Sequence, residues 1–438
     1  MKIGKIDHSL NATLKPEIIF ASLATFLSIC VFYLTISIFK ANIPVLDDFA
    51  AILEFINKFL PSNWHEKIIL LFSQYNEHRV VFLRLLTVSC YYITGKVDFR
   101  ILTIIGHLSL IGLLIIFLKS NTTGNNTKKY PYFIIPLVLL LFQPQYYETS
   151  AITMAAVSNL FVLFFAFLSL YLLTKRSTKY LLFSLAAAIS ATFTNGNGML
   201  VFLAGLIILV IDKRFKESVV WLFVGITCVM VYFIGYLKPS HHPSITASIF
   251  IHPIETIKYF LLFLGSYSES FVPVKDKINY LLPLLTGALS CAYFIFLLKV
   301  RYYKMNKPVF SFLLYLFLTV GTVSLCRSGF GLWQALSSRY TIISVLMIIS
   351  FYFSAIEILS QKVVKTIFPI LLVIALFFNL FSYYKYFRFL VAFRSHDINS
   401  LIYWKKNNSG LLSYLDTEKT NAVMSTAIEK KYYSPPIE

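Results

Sequence analysis

Charge is scarce in this sequence. Asp, Glu, Lys and Arg make up 13% of its 438 residues, where a soluble domain carries about a quarter. That excludes an ordinary water-soluble globule. Cysteine is scarce too. The five, Cys30, Cys90, Cys228, Cys291 and Cys326, are scattered through apolar stretches. No pair has metal-ligand or redox spacing, so they read as packing residues. What fills the chain is 58% hydrophobic and 17% aromatic, the composition of a polytopic membrane protein. The first apolar segment, Glu17 to Phe39, is too long for a signal-peptide core and has no small-residue cleavage site after it. It reads as a retained transmembrane helix.

The net charge of +19 would suit nucleic acid if it were contiguous on one soluble face. It is not. Basic residues fall in short clusters between hydrophobic runs: Lys2, Lys5 and Lys15; Lys128 and Lys129; Lys175, Arg176 and Lys179; Lys213, Arg214 and Lys216; Arg301, Lys304 and Lys307; Lys362 and Lys365. This is how cytoplasmic loops are anchored. Nucleic acid is therefore not an expected partner.

In lipid every spanning segment must satisfy its own backbone, so the apolar runs should be helices. About eleven are expected: 17–39, 100–119, 131–144, 152–174, 180–193, 198–212, 219–238, 279–299, 308–326, 341–360 and 364–384. The expected fold is an all-α membrane bundle over 1–384, with a short polar tail, 385–438. The runs at 131–144, 180–193 and 198–212 fall short of the roughly 20 residues of a perpendicular span. With the N-terminus inside, all six basic clusters fall on the cytoplasmic side, and loops 40–99, 239–278 and 327–340 fall outside with the tail. The Asn-x-Ser/Thr matches at Asn121 and Asn125 then lie in a cytoplasmic loop and carry no weight.

The first outer loop carries helical signals. Phe49 to Leu60 has apolar residues at helical spacing with Glu54 and Lys58 four apart. Asn63 can cap a second helix from Trp64. Residues 65–95 read as helices along the membrane interface; the alternative is that Val80 to Tyr92 spans.

Chemistry-bearing residues gather on that outer side. Pro44-Val45-Leu46-Asp47-Asp48 follows the first helix, and Asn76-Glu77-His78-Arg79 lies thirty residues on. Carboxylates beside a bilayer lose hydration and are costly to hold. Asp47 and Asp48 can serve as a general base and its helper or bind a divalent cation; a helix cap or solvated turn is the structural alternative. Glu77 can be a further acid, base or cation ligand. His78, Asn76 and Arg79 can bind phosphate or sugar hydroxyls; a polar cap with a local Glu77–Arg79 pair is the alternative. Arg327 and Arg339 bracket a short loop. Arg339 opens a helix, where its fork can grip a phosphate or simply anchor the helix at the interface. Tyr147 and Glu148 suit sugar stacking and hydrogen bonding, or an aromatic belt. His241 and His242 are adjacent, which suits a loop better than a shared metal site. His107, inside a helix, reads as an interhelical hydrogen bonder.

One hydrophobic helix followed by Asp47-Asp48 in a loop with interfacial helices resembles the GT-C superfamily of integral membrane glycosyltransferases. Ser338-Arg339-Tyr340 opening a later helix is similar to that group as well. Combined with Asn76-Glu77-His78-Arg79, the pattern resembles bacterial membrane proteins of surface-polysaccharide and O-antigen glucosylation. The resemblance implies a polyprenyl-phosphate sugar donor and a glycan acceptor. It also implies an inner-membrane location with an outward-facing site, and inverting transfer of a hexose such as glucose. It implies a catalytic aspartate carried here by Asp48 or Asp47, with Asp48 taken as base, and basic residues at the donor phosphate: Arg339 first, then Arg79 or Arg327. Rival readings are an O-antigen polymerase or ligase, and a transporter or flippase. The last would need ionisable groups near mid-membrane, where this sequence offers chiefly His107.

Overall fold

The computed structural model describes residues 16–120, 131–240, 242–271 and 280–436. Lys2, Lys5, Lys15, Asn121, Asn125, Lys128, Lys129 and His241 lie outside the described residues. Among the described residues the chain is helical throughout and forms no β-strand, only isolated bridges.

Among the described residues eight helices are long and apolar enough to cross a membrane: Pro16–Phe39, Phe99–Ser120, Thr153–Leu173, Phe215–Phe233, Leu281–Lys299, Lys307–Arg327, Ser338–Ile358 and Gln361–Asn407. The three runs noted as short form shorter helices, Ile134–Leu141, Thr178–Thr192 and Leu200–Ile211. Side chains explain several close approaches. The Phe99–Ser120 and Thr153–Leu173 helices meet at Gly106, where an added Cβ would lie 2.7 Å from the Ala156 backbone. Small residues let apolar helices pack where lipid gives no hydrophobic drive. Thr103 and Thr153 hydroxyls share a hydrogen bond of 3.0 Å across the same contact.

One end of the bundle carries a second hydrophobic core. Ile43, Val45, Phe49, Ile52, Leu53 and Ile56 of the first loop pack with Leu401, Trp404, Met424 and Tyr433 from the C-terminal segment. Each such side chain taken fully out of water contributes roughly 1.5–3 kcal/mol. Polar links register the two segments. Lys419 Nζ lies 3.2 Å from Glu54 Oε2, the Asn57 amide donates to the Val423 carbonyl at 2.9 Å, and Leu46 N–H donates to the Leu412 carbonyl at 2.6 Å.

The polar residues beyond 384 therefore do not form a free tail. The last long helix continues without a break from Gln361 to Asn407, 47 residues, about 70 Å at 1.5 Å per residue. The hydrocarbon layer is about 30 Å thick. The compositional change near 384 marks where this helix leaves the apolar region, not where it ends. A further helix, Thr417–Glu429, folds back onto the first loop.

The loop helices form as their caps dictate. Asn63 accepts from Glu66 N–H and Glu66 accepts from Asn63 N–H, a reciprocal box that satisfies two otherwise orphaned donors. Glu54 and Lys58 pair at 2.6 Å. The Trp64–Phe72 helix buries none of its residues, and Trp64, Ile68 and Ile69 are exposed, as an interfacial helix requires. Val81–Thr94 is 14 residues, about 21 Å, too short to span.

Candidate functional site

The site is built where the first loop, the Asn76–Arg79 turn and the start of the Ser338–Ile358 helix meet. Leu46 adopts a left-handed φ of 52°, a costly conformation for a branched side chain. This kink sends the next two carboxylates in opposite directions.

Asp48 points inward and has 0% exposure. Its Oδ2 accepts from Val45 N–H at 3.2 Å and Thr153 N–H at 3.1 Å, and its Oδ1 from Met154 N–H at 2.8 Å. Lys40 Nζ lies 3.9 Å away and donates to the Ala151 carbonyl at 2.7 Å. Burial raises the Asp48 carboxyl above its ordinary range, opposed by Lys40 and the three N–H donors. A raised carboxyl would suit a base, but no acceptor can reach a side chain with no exposed surface. The expectation that Asp48 is the base is corrected on that ground. It staples the first loop to the helix starting at Thr153. The pair is also a poor cation site, because the Asp48 oxygens already face backbone donors. Among the described residues no group of three or more His, Cys, Asp and Glu side chains could hold a metal ion.

Asp47 faces the other way, with 16% side-chain exposure. Its Oδ1 accepts from the Tyr75 hydroxyl, and its Oδ2 lies 4.0 Å from Arg339 Nη1. Burial, and next the Asp47 charge, raise the Tyr75 phenol, which keeps it a donor. Arg339 sits between two carboxylates: its Nε is 3.6 Å from Glu148 Oε2. That oxygen also accepts from Ser337 Oγ at 2.8 Å and Arg339 N–H at 2.9 Å. Glu148 thus caps the helix that carries Arg339, and its expected sugar contact gives way to a positioning contact. The Tyr414 hydroxyl reaches Arg339 from the C-terminal segment.

A second polar group adjoins the first. Tyr75 and His78 exchange backbone hydrogen bonds of 2.7 and 2.8 Å, closing a tight turn with Asn76 at φ 49°, a conformation Asn tolerates. Glu77 meets Arg327 Nη2, His78 Nε2 at 3.3 Å and His242 Nε2 at 3.4 Å. His78 Nδ1 accepts from Gly196 N–H at 3.4 Å. Burial pulls the His78 imidazole down to about 4, opposed by Asp47. The ring is therefore neutral near pH 7, and its Nδ1, which accepts from Gly196, is the unprotonated nitrogen. Tyr75, bonded to Asp47 by its hydroxyl and to His78 by its backbone, links the two groups.

Three expected residues are placed elsewhere. Arg79 is 8% exposed, and its guanidinium donates to the carbonyls of Phe72, Tyr232 and Ile234. It closes the C-terminal ends of two helices, where carbonyls lack partners, and is corrected from phosphate ligand to structural clamp. Asn76 is the exposed tip of its turn. Tyr147 stacks on Phe389, with ring centroids 5.0 Å apart, which gives its ring a protein partner in place of a sugar. His107 bonds the Thr103 carbonyl at 2.8 Å and Thr149 Oγ1 at 3.3 Å, as an interhelical bonder should. The sequence reading missed Tyr75, Tyr414 and Lys40. Lys40, a lone cation just after an apolar helix, was the one of these with a visible signal.

Comparison with protein-family models, with curated proteins and with solved structures finds no match for this chain.

Proposed function

We propose that this chain is an inverting membrane glycosyltransferase of GT-C type. In this reading it moves a hexose, glucose by the sequence resemblance, from a polyprenyl-phosphate carrier to a glycan such as O-antigen, at the outer face of a bacterial inner membrane. The observation that carries the reading is the approach of Asp47 to Arg339, 4.0 Å apart at one end of an apolar bundle. A base and a phosphate ligand are the two groups that this reaction needs.

The chemistry balances without a general acid. The acceptor hydroxyl oxygen attacks the anomeric carbon from the face opposite the phosphate, and its proton passes to the Asp47 carboxylate. The bond from the anomeric carbon to the phosphate oxygen breaks, and polyprenyl phosphate leaves with the electron pair as a stable anion. Arg339 stabilises the charge gathering on that phosphate. A guanidinium has five N–H donors, and its contacts with Asp47 and Glu148 do not exhaust them. Tyr75 holds Asp47 toward the acceptor, and Glu148 holds Arg339 toward the donor. Glu77, His78 and His242 supply hydrogen-bonding groups beside the acceptor. The polyprenyl chain stays in lipid, which is why such an enzyme would be a membrane bundle.

The test is direct. Purified full-length protein in lipid nanodiscs is given a synthetic polyprenyl-phosphate hexose and a glycan acceptor. The expected result is a glycosylated acceptor with release of polyprenyl phosphate. Folded protein that moves the intact lipid across a bilayer, and transfers no sugar, would favour a flippase.

A further inference from the structure

The far end of the bundle holds a cavity of about 680 Å³, lined by residues 176–178, 181 and 212–217. The Thr153–Leu173 helix locates it. That helix starts at the N–H groups that bind Asp48 and ends at Leu173, whose carbonyl accepts from Arg214 Nη1. Its 21 residues put roughly 30 Å between the two places.

The charge in this cavity is unbalanced. Its two carboxylates are taken: Asp212 pairs with Lys307 at 2.7 Å, and Glu217 with Arg214 at 3.1 Å. Arg176, Lys213 and Lys216 are exposed and make no ion pair within 4 Å among the described residues. Lys213 is held with φ at 58° by the turn between helices. Two helices also begin here, Thr178–Thr192 and Phe215–Phe233; neither N-cap side chain bonds its first turn, and in the second helix the Glu217 carboxylate takes one backbone N–H. The remaining N–H groups and both dipoles add to the same sign of potential.

We infer that this cavity is a binding site for a phosphate group carried by a membrane lipid. Three free cations between two helix starts match an anion of that size. The walls indicate the source. Phe215 is 63% exposed, Val219 69% and Phe223 71%, a continuous apolar stripe that runs from the cavity along one helix. Leu182 and Phe183 are exposed on the other. A headgroup in the cavity would leave its acyl chains against these stripes. Free phosphate would gain nothing from them. Basic pockets between spanning helices bind lipid headgroups by this arrangement of charge and grease.

The experiment uses full-length protein in phosphatidylcholine nanodiscs titrated with fluorescent phosphatidylglycerol. The cavity variant combines R176Q, K213N and K216Q; Asn tolerates the left-handed turn at 213. All three positions are exposed, and the Asp212–Lys307 and Arg214–Glu217 pairs stay intact. The control variant, K299Q with K304Q and K362Q, removes equal charge from other basic clusters. The cavity variant is expected to weaken binding on the order of a hundredfold, at roughly a factor of five per cation, while the control keeps the original affinity. Equal losses in both variants, or no loss in either, would overturn the site. Inorganic phosphate that binds as tightly as the lipid would overturn the lipid assignment and leave a soluble anion as occupant.

Discussion

Asp47 Oδ2 lies 4.0 Å from Arg339 Nη1, while its neighbour Asp48 is turned inward to three backbone N–H groups and Lys40. The two adjacent aspartates thus have separate tasks. One faces the site; the other fixes the loop on which the first is carried.

Asp48→Asn is expected to act on stability. It leaves buried Lys40 without its strongest charge partner, with only the weaker influence of Asp397 and Asp98 remaining, and turns an amide donor toward N–H donors. Removing one member of a buried pair costs about 3–5 kcal/mol. The thermal midpoint of the purified variant should fall by several degrees, and the double variant with Lys40→Met should recover part of the loss. An Asp48→Asn protein as stable as the parent would contradict this role.

Tyr75→Phe removes one hydrogen bond to Asp47 and little volume. Hydrogen bonds to charged groups are worth about 1.5–3 kcal/mol, so transfer per folded molecule should slow about 10- to 100-fold, with a melting temperature lower by a few degrees. A rate equal to the parent's would detach Tyr75 from the site.

The two arginines should separate in assay. Arg339→Lys keeps the charge but loses the planar fork, and should lower kcat about a hundredfold in a stable protein. Arg79→Lys should lower stability by leaving helix-end carbonyls unpaired, with kcat per folded molecule preserved. The reverse pattern would exchange their roles.

His78 gives a pH signature. Its folded pKa of about 4, set by burial, lies below the ordinary value of about 6.5. The unfolded chain therefore binds the extra proton first. The contribution to stability is complete above about 6.5 and is lost as pH falls toward 4. Melting curves across that window should show the fall, and His78→Gln should flatten it. An unchanged slope in the variant would place the titration elsewhere.

Much of this fold is legible in sequence because a lipid-embedded helix is a local solution. A run such as Thr153–Leu173 must satisfy its own backbone wherever it packs. The Asn63–Glu66 box is local as well, and both residues are visible three positions apart. The site is not local. Which of Asp47 and Asp48 faces a ligand depends on the Leu46 kink, which is anchored by the distant Leu412 carbonyl. Arg79 and Arg339 look alike in sequence; what separates them is that the carbonyls of Tyr232 and Ile234 come to Arg79, and Glu148 comes to Arg339. The C-terminal segment reads as a tail by composition, yet Met424 and Tyr433 are buried in the first loop's core.

The most direct measurement is hexose transfer from a synthetic polyprenyl-phosphate donor by the purified parent and by Asp47→Asn, each normalised to folded protein. The account predicts a loss of two to four orders of magnitude in kcat, the span of general-base catalysis, with the melting temperature unchanged. Transfer by Asp47→Asn at the parent's rate would contradict it.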